Sequence, residues 1–171
     1  RQVGSTFKPF LYALAMQEGY SPCYEIPNVP VVFEKNQWGL PDKDWVPRNS
    51  DDKYEGMLMS LRFGLANSIN TITAYIMKQF GPHSVLDLAK KMGITSKLDP
   101  VPSICLGTFD LSVYEMVGAY STFVNKGIWT EPLIVSRIED KNGILLQDFN
   151  PKTNEAMSEK TADLMVRMLQ G

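Results

Sequence analysis

The sequence predicts an α+β fold that is mainly helical, with a β-hairpin ahead of a last helix. Residues 5–18 carry apolar side chains at the spacing of a helix face. Residues 132–149 alternate apolar and polar side chains around Asn142 and Gly143, which is the strongest short-range signal of a hairpin. A chain of 171 residues with 44% apolar content is long enough for one domain with its own core.

The first predicted helix, STFKPFLYALAMQE over residues 5–18, is apolar on more than one side. One face carries Phe7, Phe10, Leu11 and Leu14. Pro9 fits only in the first turn, so Ser5 is the expected N-cap and Gly19 the expected end. Because the opposite face is apolar as well, this segment is predicted to be a buried central helix.

The segment from 21 to 55 is rich in Pro, Asn, Asp and aromatic residues and shows little periodicity. A loop of this length in a small domain is usually functional or a lid. Trp38 and Trp45 within it could line a groove for a glycan or a partner. Packing of the loop onto the domain is the favoured interpretation.

The other predicted elements are mostly short helices. They are residues 56–79 in two pieces broken near Asn67 and Ser68; residues 82–93, ending at Gly93; residues 110–126, with Asp110 or Ser112 as the cap and Gly127 as the stop; and a last helix capped by Ser158.

Composition argues against several kinds of partner. The net charge is −2 and no basic stripe is present, so nucleic acid is not expected. No window of about 20 apolar residues could span a membrane, and no signal peptide is recognisable. A metal site is not expected, because His83 and the two cysteines, Cys23 and Cys105, form no ligand pattern. Burial of Cys105 as a small apolar residue is favoured over a disulfide with Cys23.

Ser5 and Lys8 form the first candidate catalytic pair. At i and i+3 of one helix their side chains are neighbours, which would give the weakly nucleophilic hydroxyl a base. Burial would lower the pKa of the lysine, and the helix N-terminus would stabilise a developing oxyanion. The pattern is short, however, and recurs at Ser50 and Lys53 in a polar turn. A capping serine with a lysine reaching to solvent is the alternative.

A second polar cluster, ANSINT, lies at the predicted helix break. Ser68 and Asn70 alternate along the chain, so both side chains could face one cleft. One could relay a proton and the other could bind a substrate carbonyl. The alternative is a local cap for the helix that begins near Ile69.

Taken together, these segments resemble the active-site serine penicillin-recognising enzymes, and specifically the transpeptidase domain of class A penicillin-binding proteins. RQVGSTFKPF is similar to the family's Arg-Gln-Pro-Gly-Ser-Thr-x-Lys-Pro-Phe, with Val3 in place of the proline. The segments WVPRN, YEGMLMSLRFGLANSIN, PSICLG and YEMVGAYSTFVNKG are also similar to family segments, so the resemblance spans essentially the whole chain.

The resemblance implies a β-lactamase/transpeptidase-like fold and assigns roles to four residues. Ser5 would be the acylated nucleophile, Lys8 its base, Ser68 the proton relay, and Asn70 a substrate-binding residue. The implied reaction cross-links peptidoglycan by attack on the D-Ala-D-Ala bond of a stem peptide. β-Lactams would acylate the same serine, and neither a metal nor another cofactor is needed.

The family's third motif, Lys-Thr/Ser-Gly on a strand, has no counterpart in this sequence. Residues 160–162 lie in a predicted helix and 141–143 in a predicted hairpin turn, so neither is accepted as that motif. Residues 1–171 are therefore expected to be a partial domain, truncated at both ends and without the flanking sheet strands. Alone, it is expected to be inactive and to self-associate through uncovered apolar faces.

The resemblance also implies a longer protein on the extracytoplasmic side of the inner membrane. It would be anchored by segments absent from this sequence and would carry a glycosyltransferase domain. Two alternatives to the biosynthetic enzyme stay open. One is a related β-lactamase or β-lactam sensor, and the other is a catalytically dead binding segment in which Ser5 only caps a helix.

Overall fold

The structure, a computed structural model, describes residues 1–40 and 43–171. Within them are five α-helices and three two-stranded antiparallel sheets. The helices are α1 (Lys8–Gln17), α2 (Leu61–Ala66), α3 (Asn70–Lys91), α4 (Val113–Val124) and α5 (Glu159–Leu169). The strands are β1 (Glu25–Pro27), β2 (Leu58–Ser60), β3 (Ile128–Thr130), β4 (Arg137–Glu139), β5 (Leu145–Asp148) and β6 (Thr153–Glu155). The strand pairs are β1–β2, β3–β6 and β4–β5.

Helix α1 forms the centre of the core, as its apolar faces predict. Every residue from Lys8 to Met16 is buried, and the helix packs against α3 and α5. The predicted cap is wrong. Ser5 lies inside a 3₁₀ turn, Gly4–Phe7, that runs directly into α1, and its carbonyl accepts from the Lys8 N–H. Because the turn already satisfies this amide, α1 begins without a side-chain cap.

The break between α2 and α3 lies at residues 67–69, as predicted. The segment just before α2 differs from the prediction, because residues 58–60 form β2 rather than helix. Ser60 caps α2 by accepting from the Phe63 N–H at 3.2 Å, so the preceding residues lie outside the helix and pair with β1. The predicted helix from 82 continues α3 after a kink at Gly81, whose φ is 74°.

The C-terminal part follows the sequence pattern closely. The strands β4 and β5 form the predicted hairpin, with Gly143 at a φ of 80° in its turn. Ser158 caps α5 by accepting from the Thr161 N–H at 3.1 Å. The pairing of β3 with β6 was not predicted.

The segment 21–55 contains β1 and an isolated bridge between Phe33 and Trp45. Phe33 is buried, with its ring 5.7 Å from that of Trp38 and 5.2 Å from that of Trp45. Trp38 and Trp45 are partly buried and pack against the hydrophobic core, so they hold the loop on the domain, as favoured from the sequence. Among the described residues, no helix is both long and apolar enough to cross a membrane.

Candidate active site

Ser5 is carried on a turn that a distant segment holds in place. The Val3 N–H donates to the Phe109 carbonyl at 3.1 Å, and the Gly4 N–H donates to the Gly107 carbonyl at 3.0 Å. Gly107 has a φ of 66°, and a Cβ there would lie 2.0 Å from the Gly4 oxygen. Only glycine fits this approach of two backbones.

The other side of the turn is fixed by the helical core. The Tyr120 hydroxyl donates to the Thr6 carbonyl at 2.6 Å. The Phe7 ring stacks on that of Phe10, with 4.5 Å between centroids. Ser5 itself is exposed. The turn therefore presents the serine to solvent from a backbone that is tied down on both sides.

Ser68 occupies a position that a helix end normally gives to glycine. Its φ is 54°. Its N–H donates to the Leu65 carbonyl, and the Ile69 N–H donates to the Gly64 carbonyl, both at 2.9 Å. This pair of bonds is the Schellman motif, whose left-handed residue is usually glycine. A serine there strains the backbone, as residues at functional sites often do.

Lys8 reaches this helix break from α1. Its side chain is 1% exposed, yet its ammonium is fully hydrogen-bonded. It donates to Ser68 O at 2.6 Å, to Ser68 Oγ at 2.9 Å and to Asn70 Oδ1 at 2.6 Å. Three of the four residues singled out from the sequence are thus in direct contact.

The charge on Lys8 is destabilised by its surroundings. Removal from water is the main cause, and it lowers the pKa of Lys8 to about 8. Burial also raises the pKa of the Cys105 thiol to about 12, so the thiol is neutral. Both cysteines are free and Cys105 is buried, as expected. No carboxylate among residues 1–40 and 43–171 pairs with the lysine.

The structure corrects one predicted contact, because Ser5 and Lys8 are not hydrogen-bonded. A protonated lysine has three N–H donors, and the ammonium uses all three on Ser68 and Asn70. The i, i+3 spacing brings the two residues to one side of the helix start. The polar groups at residues 68–70 compete successfully for the lysine.

Sequence reasoning missed a set of polar groups behind Asn70. The Asn70 side-chain nitrogen donates to the Arg48 carbonyl at 2.7 Å, and the Thr71 N–H donates to Asn49 Oδ1 at 3.1 Å. Both partners lie in WVPRN, one of the segments that resemble the family. The lysine-containing sequences refused as a third motif lie in α5 and in the β4–β5 turn, as expected.

The whole chain, residues 1–171, matches the family described as penicillin binding protein transpeptidase domain. It is 32% identical over 170 residues to penicillin-binding protein 1A of Aquifex aeolicus, covering 99% of this chain and 23% of that protein. Identity to penicillin-binding protein 1A of Pseudomonas aeruginosa is 31% over 166 residues, with 95% and 20% covered. The chain therefore spans about a fifth to a quarter of the length of these curated relatives.

Solved structures of penicillin-binding proteins have the same fold as this chain. A crystal structure of penicillin-binding protein 1A from Haemophilus influenzae superposes with a TM-score of 0.86 at 27% identity, over 99% of this chain and 29% of that one. The imipenem acyl-enzyme of penicillin-binding protein A from Mycobacterium tuberculosis has the same fold, with a TM-score of 0.79 at 17% identity over 98% and 42%. The chain thus belongs to the transpeptidase domain family of the penicillin-binding proteins, as its resemblance to the class A members predicted.

Proposed function

We propose that this chain is the central part of a D,D-transpeptidase that cross-links peptidoglycan through an acyl-serine intermediate. The observation that supports this most is the buried Lys8 ammonium, bonded to Ser68 Oγ and Asn70 Oδ1 beside the turn that carries Ser5. A lysine with a pKa near 8 can lose its proton near neutral pH, as a general base must.

In the proposed acylation, Lys8 first becomes neutral. A neutral amine keeps two N–H donors and gains a lone pair, so one present contact is released and the lone pair accepts from the Ser5 hydroxyl. Ser5 Oγ attacks the carbonyl carbon of the D-Ala-D-Ala peptide bond as its proton moves to Lys8. The C–N bond then breaks, and the proton passes through Ser68 Oγ to the leaving D-Ala nitrogen.

The acyl group is then transferred to an acceptor amine from a neighbouring strand. The amine attacks the ester carbonyl and loses a proton to Lys8 by way of Ser68. The ester C–O bond then breaks, and Lys8 returns the proton to Ser5 Oγ. Asn70 orients the substrate. One of its amide hydrogens is donated to the Arg48 carbonyl, which leaves the other for a substrate carbonyl.

The same site is proposed to react with β-lactams, whose strained amide takes the place of the D-Ala-D-Ala bond. The whole protein is proposed to lie on the extracytoplasmic side of the inner membrane, anchored by other segments, and to include a glycosyltransferase domain. Residues 1–171 would then be a partial domain that lacks an oxyanion donor from the sheet, which is worth about 3 kcal/mol in comparable sites.

We also propose that residues 1–171 in isolation are inactive and associate with one another. Several large apolar side chains are well exposed, among them Val113 at 75%, Val124 at 76% and Ile134 at 91%. Such surface is normally covered in soluble proteins. Light scattering that gives a monomer at tens of micromolar would contradict this expectation.

A fluorescent penicillin tests the proposed function on the full-length protein. We expect a covalent label on the peptide that contains Ser5, found by mass spectrometry, and no label in Ser5→Ala. The control is Ser21→Ala, because Ser21 is exposed and lies far along the chain from the turn. An unlabelled wild type, or equal label in Ser5→Ala, would support the binding segment instead. Rapid release of the label would indicate a β-lactamase.

A further inference from the structure

Helix α3 begins without a cap of its own, although polar residues surround its start. Its N-cap residue is Ile69, whose apolar side chain cannot accept a hydrogen bond from the first N–H groups of the helix. The neighbouring polar side chains, Ser68 and Asn70, are instead bonded to Lys8. The first N–H groups of a helix need acceptors, so another part of the chain must provide one.

Asn49 provides it from the long loop. Its Oδ1 accepts from the Thr71 N–H at 3.1 Å, which is the bond that an N-cap residue would make. Its Nδ2 donates to Asn28 Oδ1 at 2.9 Å. The cap of α3 is therefore located 20 residues or so upstream in sequence, and it is held by a second asparagine.

Asn28 anchors this arrangement in the interior. It is 2% exposed, its Nδ2 donates to the Tyr54 carbonyl at 2.7 Å, and its Oδ1 also accepts from the Thr71 hydroxyl. The polar side-chain atoms of Asn28, Asn49 and Thr71 thus bond to one another, and the removal of one of these side chains would leave a buried polar atom without a partner. The network therefore favours one conformation of the loop.

The residue next to Asn49 completes the connection to the site. The Arg48 carbonyl accepts from Asn70 Nδ2 at 2.7 Å, while Asn70 Oδ1 accepts from Lys8 at 2.6 Å. The orientation of the Asn70 amide is thus set by a carbonyl whose position depends on the adjacent Asn49. A chain of hydrogen bonds runs from the buried Asn28 to the lysine.

We infer that Asn49 is a positioning residue for the reaction, which acts through the Arg48 carbonyl and Asn70 to hold Lys8 in place. This inference rests on the proposed function. Asn49 does not touch the reacting atoms, so its loss should slow the acylation step without weakening the initial binding of a β-lactam. Asn49 also lines a cavity of about 360 Å³, together with residues 28–30 and 46–48, Asp52, Glu55 and Thr71.

The test is the kinetics of penicillin acylation in the full-length protein, with the binding constant and the acylation rate constant measured separately. For Asn49→Ala we expect the rate constant to fall about tenfold, because small displacements of a catalytic group are costly. The binding constant should stay unchanged. The matched control is Asn154→Ala, since Asn154 Nδ2 also ties two segments together by donating to a backbone carbonyl, that of Lys91 at 2.8 Å.

Asn49→Asp keeps the oxygen that caps Thr71 but places a carboxylate oxygen opposite Asn28 Oδ1 in place of the donor. It should therefore weaken the network without removing the cap and give a rate constant between wild type and Asn49→Ala. A wild-type rate constant in folded Asn49→Ala overturns the positioning role. If Asn49→Ala does not fold, a wild-type rate constant in Asn49→Asp overturns it. Equal losses in Asn154→Ala would also do so. An unlabelled wild type instead overturns the proposed function itself.

Discussion

Helices α3 and α4 begin in opposite ways. At the start of α4, Ser112 accepts from the Glu115 N–H, and the Glu115 carboxylate accepts from the Ser112 N–H, both at 3.1 Å. This capping box is complete within four residues. At the start of α3 the local polar side chains hold a lysine, and the cap comes from a loop.

The two helix starts differ in what their polar side chains do: those of α4 stabilise the helix, and those of α3 bind a residue of the candidate site. The α4 capping box lies within four residues, and its Glu115 carboxylate also accepts from the Thr95 and Ser96 N–H groups, so this helix start stabilises the fold. The α3 start presents its polar groups to Lys8, so its own stability depends on Asn49 and Asn28. Substitutions at α3 should therefore change chemistry first, and substitutions at α4 should change stability first.

The largest expected effect is that of Asn70→Ala. The substitution removes both the acceptor for Lys8 and the donor to the Arg48 carbonyl. We expect the rate of penicillin acylation to fall at least about 100-fold, comparable to the loss of one oriented donor in an active site. Asn67→Ala is the matched control, because Asn67 donates only within its own helix end, to the Phe63 carbonyl at 3.0 Å. Similar rates in both variants would contradict the role of Asn70.

The next effect concerns the capping box of α4. Partial burial raises the pKa of Glu115, but hydrogen bonds from Ser96 and Ser112 outweigh it and lower the pKa to about 2. Glu115→Gln should reduce the free energy of unfolding by about 1–2 kcal/mol at pH 7 and leave acylation unchanged. Denaturant unfolding measures the loss, and Glu159→Gln, in the first turn of α5, is the control with a smaller expected loss.

The difference in stability between wild type and Glu115→Gln should depend on pH. Because the folded-state pKa lies below the ordinary 4.5, the stabilisation is present above pH 4.5 and is lost as pH falls toward 2. The gap between wild type and Glu115→Gln should therefore shrink in acid. A gap that stays constant from pH 7 to pH 2.5 would show that the charge of Glu115 does not matter.

The smallest effect is a difference in stability between two substitutions of Ser68, the strained residue before α3. Ser68→Gly and Ser68→Ala both remove the hydroxyl bonded to Lys8, but only glycine relieves a φ of 54°. We expect Ser68→Gly to be more stable than Ser68→Ala by about 1 kcal/mol, measured by thermal or urea unfolding. Both should acylate slowly. Equal stabilities would mean that the backbone at residue 68 is not strained.

Local sequence signals were sufficient for most helices. The cap at Ser112, which was one of the two residues predicted, the cap at Ser158 and the Asn-Gly pair of the hairpin each act through residues a few positions apart, so their effect can be inferred from order alone. The strands of β1–β2 and β3–β6 are three residues long and pair across many intervening residues. Such short segments have no alternation to detect.

The site was predictable only in part for a similar reason. The polar residues of SxxK and SxN stood out, and the structure brings Lys8, Ser68 and Asn70 together, whereas their catalytic roles stay predictions. The Ser5–Lys8 bond was predicted wrongly because helical spacing gives proximity but not which acceptor the lysine prefers. The cap from Asn49 and its support by Asn28 depend on how a loop folds back, which no local pattern encodes.

The turn that carries Ser5 also has a consequence for biosynthesis. It is tied to residues far along the chain, such as Tyr120, which is 114 positions from Thr6, and Gly107. A ribosome adds about 5–20 residues per second, so the serine is added to the chain roughly 5–20 s before those partners exist. Contacts so distant in sequence also form late in folding. The turn that carries Ser5 should thus be held in this geometry only once the later segments have been made and have folded against it.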